Sequence, residues 1–182
     1  MALVLNATPL SPACNSYATL AVALEYVTTR VPNLATAAAW IALTDAQKSM
    51  YLVNASRTLD SLSKWIGEKY TRDQGLYWPR GAAVVDGFLL DSTVFPPVIV
   101  QATIEFALWQ LSNDGAVSIG TNAQYNAIRV GPIAIDFNAG AGIRSTEYFP
   151  DIVSLLLKEY GGITNPDLPS SRALRQVKLV RA

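Results

Sequence analysis

The chain has 182 residues, 51% of them hydrophobic, with fourteen Lys/Arg, fourteen Asp/Glu, one cysteine and no histidine. That length suits one domain that buries its own core without help from a disulfide or a structural metal. Without histidine there is no Ser-His-Asp triad, no Cys-His dyad and no His-containing zinc site.

The formal charge of zero is an average over two unlike parts. Residues 1–171 hold ten Lys/Arg against fourteen Asp/Glu, whereas the last eleven residues carry Arg172, Arg175, Lys178 and Arg181 with no acid. Such a tail attracts phosphates or an acidic protein surface. Its apolar Leu174, Val177, Leu179 and Val180 suit it to adding a strand or short helix to a neighbour. The opening MALVLNATPL lacks a basic start and is broken by Asn6, Thr8 and Pro9, so it reads as neither signal peptide nor membrane span.

Residues 18–28 have the propensity for a short helix. Pro32 stops it, and Ala35 to Trp40 suggests a second piece. Thr44-Asp-Ala-Gln47 is a capping box that opens a long helix. Along it Leu52, Ala55, Leu59, Leu62 and Ile66 form one apolar stripe. Asp60 with Lys64, and Lys64 with Glu68, are i,i+4 pairs expected on a wetter face.

Between Lys69 and Pro97, glycines at 75, 81 and 87 and prolines at 79, 96 and 97 predict an ordered loop. Within it Leu76, Tyr77 and Trp78 can anchor by burial, and Pro79 fixes the backbone. Arg80 then offers five donors to carbonyls, a local acid or a partner. Pro97 opens a helix through Ser112 whose only polar strip is Gln101, Glu105 and Ser112, so most of its circumference should touch other helices or another subunit.

Apolar alternation on either side of Gly131-Pro132 predicts a β-hairpin near 126–138, marginal alone and in need of a neighbour. Asn138-Ala-Gly-Ala-Gly lacks the Lys-Ser/Thr ending of a phosphate loop. The last helix starts near Pro150 and ends before Gly161-Gly162, with Ile152, Leu155, Leu156 and Tyr160 as its packing face. The domain is therefore placed at 1–162 and an extended basic arm at 163–182.

Asp45, Asp60, Asp86, Asp91, Asp136 and Asp151 are dispersed rather than set in a metal motif, and Ser61, Ser63 and Lys64 fall on a helix surface. The expectation is a protein that is no enzyme and takes no cofactor or metal. The fold class expected is mainly α: a small helical bundle with an inserted β-hairpin and an extended C-terminal tail.

Several segments together carry a family resemblance: SYATLAVALEYV from Ser16, the Trp40 region, the helix from Thr44, LYWPR at 76–80, VDGF at 85–88, PPVIVQATIEFAL from Pro96, and IRVGPIAIDF from Ile128. In this order they resemble the head-to-tail connector, or adaptor, proteins of tailed bacteriophages, a family also labelled DnaT-like single-stranded DNA-binding protein. The resemblance spans roughly residues 15–160. It matches at Trp78, Pro79 and Arg80, at Gln101, Ala102 and Glu105, and at Val130, Gly131 and Ile135, all as structural anchors rather than catalytic groups.

The resemblance implies a twelve-fold homo-oligomeric ring beneath the portal protein, joined to tail or nozzle proteins. That ring would surround the genomic DNA, with non-specific contact to it and no membrane. The location implied is the virion head-tail interface after assembly in the host cytoplasm. Arg172, Arg175, Lys178 and Arg181 are the residues expected to reach a partner. The competing expectation is a single-stranded nucleic-acid-binding module, motivated by the basic tail and the family label. Against it, the acidic body lacks a basic, aromatic-lined groove.

Overall fold

The structure, a computed structural model, describes residues 3–115, 127–130, 133–136 and 149–163. The fold is mainly α. Helix α1 (Leu20–Arg30) starts where the Thr19 hydroxyl accepts the Val22 N–H, and α2 (Leu34–Ala42) starts where the Asn33 side chain accepts from Ala35 and Thr36. Helix α3 (Asp45–Leu62) carries the expected capping box, with Thr44 and Gln47 bonded reciprocally. Its Leu52, Ala55 and Leu59 are fully buried, as the stripe required.

The helix does not continue to Ile66. Ser63–Trp65 leaves it as strand β1, and the predicted Asp60–Lys64 and Lys64–Glu68 pairs lose their helical register. The reason is tertiary: the extended turn drives Trp65 into the core, edge-on to Trp78 at 6.0 Å. Burying an indole outweighs the few tenths of a kcal/mol that a surface i,i+4 pair supplies.

The segment expected as loop carries two small ladders. Strand β2 (Glu68–Lys69) pairs with β3 (Arg80–Gly81), and β4 (Val84–Val85) pairs with β5 (Phe88–Leu89). Asp86 and Gly87 turn the second hairpin with φ of 51° and 83°. Both lie in the left-handed region that the tightest hairpin turns require, so Asp-Gly was a turn signal inside a segment read only as loop.

Helix α4 (Pro97–Ser112) has proline at its first turn, as expected, and sits at the centre. It packs against α3 and α5, with α1 and α2 adding to its cover. Ile99, Ala102, Ile104, Phe106 and Ala107 are fully buried by elements of the same chain. The apolar circumference therefore needs no second subunit to cover it, contrary to one arm of the expectation. Phe106 stacks on Trp109 and meets Phe149 edge-on at 5.3 Å.

Strands β6 (Ala127–Val130) and β7 (Ile133–Asp136) form the expected antiparallel pair, with Ile128 opposite Ile135 and Val130 opposite Ile133. Their turn at 131–132 lies outside the described residues, as do Asn138 to Gly142. Helix α5 (Asp151–Leu157) buries Val153 and Leu157, with Leu156 and Tyr160 partly buried against the core. Ile152 and Leu155 are exposed, so half of the predicted packing face points outward. The helix is only two turns long and is oriented by Phe149 at its start, which shifts its buried side away from those two positions.

Strand β8 (Gly161–Ile163) was not expected. It pairs antiparallel with β1, setting Ile163 opposite Ser63 and Gly161 opposite Trp65. Gly161 is required there by close approach, because a Cβ would lie 2.4 Å from the Lys64 carbonyl oxygen. No helix among the described residues is long and apolar enough to cross a membrane.

Candidate functional site

The most organised polar cluster lies where α3 ends. Tyr17 donates its hydroxyl to Asp60 Oδ1 at 2.5 Å, the indole of Trp65 donates to the same oxygen at 3.2 Å, and the Tyr77 N–H donates to Oδ2 at 3.0 Å. The Tyr17 oxygen in turn accepts the Trp78 N–H at 3.2 Å. One carboxylate thereby ties the N-terminal segment, α3, β1 and the LYWPR segment together. Burial raises the Asp60 carboxyl to about 6, with the Tyr17, Tyr77 and Trp65 hydrogen bonds and the Lys69 charge acting in the opposite direction. Burial and then Asp60 hold the Tyr17 hydroxyl well above its ordinary value. Asp60 was expected on a wet face, and the structure overturns that.

Two of the three side chains expected to anchor the LYWPR segment do so, whereas Tyr77 is 44% exposed, because its backbone N–H rather than its ring is what Asp60 holds. Leu76 and Trp78 are buried, and the Trp78–Pro79 peptide is cis. Arg80 caps carbonyls: Nε donates to Ile66 O at 2.6 Å, one terminal nitrogen to Gly67 O at 2.6 Å, and the other to Tyr77 O at 3.4 Å. Trp78 is thus internal scaffold, and the partly buried Arg80 spends its donors on carbonyls of its own chain. Gln74, unremarked in the sequence, completes the scaffold. Its side chain accepts the Thr71 N–H and donates to the carbonyls of Leu76 and Pro79.

An open cleft of about 420 Å³ beside this cluster is walled by Arg57, Thr58, Asp60 and Tyr77. Asp60 has no cation within ion-pair reach among the described residues, where the pairs are Asp45–Lys48 and Lys158–Glu159. No group of three His, Cys, Asp or Glu among the described residues is arranged to hold a metal ion. Cys14 is buried, and burial pushes its thiol upward, the opposite of an activated nucleophile.

A second groove, about 440 Å³, runs between α1 and α4 and is lined by Val22, Phe95, Val100 and Ile104 among others. On its wall Tyr26 donates to Glu105 Oε1 at 2.7 Å, with Arg30 over the Tyr26 ring at 5.8 Å. Of the positions singled out by resemblance, Gln101 lines the groove and Glu105 holds its Tyr26. The β4–β5 hairpin is the apolar counterpart: Val84, Phe88 and Leu89 are 52%, 75% and 72% exposed. Arg172, Arg175, Lys178 and Arg181 lie outside the described residues.

A family model described as "Putative DnaT-like ssDNA binding protein" matches residues 1–182, the whole chain. The chain belongs to this family. No curated protein and no solved structure matches it. In this DnaT-like family member Trp40, Trp65 and Trp78 are all interior, as are Tyr17, Phe106 and Phe149. Tyr70, Tyr77 and Phe88 are the most exposed aromatic side chains among the described residues, and Tyr26, Tyr51, Phe95, Trp109 and Tyr160 are partly buried. Phe88 lies on a hairpin without a cation, whereas Tyr77 has Lys69 over its ring at 5.5 Å.

Proposed function

We propose that the protein is a structural head-to-tail connector of a tailed bacteriophage, assembling as a ring beneath the portal and joining it to the tail around the DNA channel. The observation that supports this reading is the β4–β5 hairpin, which leaves the large apolar Val84, Phe88 and Leu89 of its two strands exposed. Its base is fixed, because the Leu90 N–H donates to the Ala83 carbonyl at 2.9 Å and Ala83 is fully buried. Clustered exposed apolar side chains without a cation suit a protein contact better than a nucleic-acid groove. The β6–β7 pair adds support, since a two-stranded sheet by itself is marginal in water. The sequence resemblance supplies the portal as partner and the ring as the assembly.

Imaging of portal complexes from the source phage tests the reading. The expected result is one symmetric ring of this chain between portal and tail. Exclusive monomers that ignore the portal and bind single strands tightly and salt-sensitively would overturn it. Deleting residues 172–182 should weaken portal docking and leave the thermal transition of the body in place. Unchanged docking would remove Arg172, Arg175, Lys178 and Arg181 from the contact.

The second reading, single-stranded DNA binding, is favoured by the family description and by the basic tail. Four tail charges limit the salt dependence to a logarithmic slope of roughly −3 for single strands. The acidic excess of residues 1–171 and the interior placement of three of the four tryptophans weigh against a stacking groove on the body.

A further inference from the structure

The two faces of the β4–β5 hairpin are unlike. Val84 and Leu89 stand opposite each other in the ladder and so share a face, and both are exposed, at 52% and 72%. On the other face Phe88 stands opposite Val85, which is half-buried. Residues 81–96 carry two acids, Asp86 and Asp91, and no Lys or Arg. The hydroxyl and N–H of Thr93 hold the Asp91 carboxyl below its ordinary value, so it stays ionised. The exposed Ile41, Met50 and Leu155, by contrast, sit beside cations: Lys48 donates to the Ile41 carbonyl and lies two residues from Met50, and Leu155 lies three residues from Lys158. We infer that the basic arm of the same chain, residues 172–182, docks on the Val84–Leu89 face of this hairpin. The inference requires no ring and leaves Phe88 to the contact proposed above.

Charge, pattern and reach point to this occupant. The arm carries Arg172, Arg175, Lys178 and Arg181 with no acid, and Leu174, Val177 and Val180 are each followed directly by one of those cations. An apolar face flanked by two acids and no cation is the complement of that pattern. The place where the arm departs is also near. The Tyr160 carbonyl, just before β8, accepts the Ile66 N–H at 3.1 Å, and Gly67 lies against the hairpin base, where a Cβ would be 2.9 Å from the Ala83 nitrogen. Burial and the charge of Asp86 together raise the Tyr160 hydroxyl, which sets the hairpin turn close to the start of β8. Residues 164–171 can span up to about 26 Å when extended, so Arg172 reaches the hairpin of its own chain. A tether of that length gives an effective concentration of about millimolar, so modest contacts suffice.

The test uses the full chain with Cys14→Ser and Ala173→Cys, carrying a nitroxide at position 173. In a dilute isotope-labelled sample the amide signals of residues 84–90 should broaden and those of α2 should not. Leu89→Ser should abolish the broadening, whereas Phe88→Ser, on the other face, should leave it; both side chains face solvent, so the fold survives either change. Asp86→Asn combined with Asp91→Asn should weaken it, because asparagine keeps the left-handed turn and removes the charge, and added salt should act in the same direction. Trypsin should cut after Arg175 and Lys178 about tenfold faster in Leu89→Ser than in the parent or in Phe88→Ser. An absence of broadening at 84–90, or cutting rates indifferent to Leu89→Ser, would overturn the inference. Broadening that arises only when spin-labelled chains are mixed with isotope-labelled chains lacking the nitroxide would assign the face to a second copy's arm and overturn it as well.

Discussion

The Tyr17 hydroxyl donates to the Asp60 carboxylate across 43 residues of chain, and the same oxygen of Tyr17 accepts the Trp78 N–H. This two-sided phenol is the joint between the N-terminal segment and the LYWPR segment. Tyr17→Phe deletes both bonds at a buried position and leaves the Trp78 amide without an acceptor. The expected cost is about 2–3 kcal/mol in chemical denaturation. The Asp60 carboxyl should rise further in the variant, since the Tyr17 bond is the largest influence holding it down. A Tyr17→Phe protein as stable as the parent would show that the joint carries no net stability.

Asp60 also gives the fold a pH dependence of definite sign. Its folded value of about 6 lies above its ordinary value of 3.8, so between these limits the folded state binds the proton more tightly. The ionised form is the disfavoured one, and stability from this group falls as pH rises through that window and is regained on acidification. Relative to Asp60→Asn, the parent should gain on the order of 2 kcal/mol between about pH 7 and about pH 4. Paired denaturation curves across that range read the difference directly. A constant difference would place Asp60 at an ordinary carboxylate value.

Arg80 holds carbonyls from three residues with a single guanidinium. Arg80→Ala should destabilise by about 2–3 kcal/mol, because Ile66 and Gly67 lose charge-assisted partners. Arg80→Lys should recover less than half, since one ammonium cannot reproduce the fork. Thermal melts of the pair measure this. Full rescue by lysine would mean that charge alone, rather than the planar geometry, holds the segment.

At the β1–β8 ladder, Gly161→Ala forces a methyl group to 2.4 Å from the Lys64 carbonyl. The expected penalty is about 1–3 kcal/mol, the usual cost of overpacking. Amide exchange at Ser63 to Trp65 should accelerate while exchange within α4 stays slow. Equal acceleration in both would mean that the ladder and the central helix open as one unit.

Local sequence determined the elements whose stability is set by their own neighbours in the chain. The Thr44 capping box, the proline start of α4, the Leu52–Ala55–Leu59 stripe and the pairing of 127–130 with 133–136 are all written within one or two turns. Leu76, Trp78 and Arg80 were legible as an anchor because a bulky apolar pair beside proline has few other uses. Tertiary contacts decided the rest. Ser63 to Trp65 has a helical pattern and becomes strand because Trp65 finds Trp78 and Gly161 admits the β8 backbone. Gly67 was the one local hint that the helix stops early.

Asp60 illustrates why the candidate site was hidden. With Lys64 four residues on, it matches a solvated helix pair, and its three donors come from residues 17, 65 and 77. The apolar face of α4 was visible in composition, but only packing showed that α3, α5, α1 and α2 cover it and that Phe88 and Leu89 of the β4–β5 hairpin are among the apolar side chains left exposed. Periodicity reports which side chains avoid water, because that preference is local. It cannot report which distant group replaces the water, because that choice belongs to the closed chain.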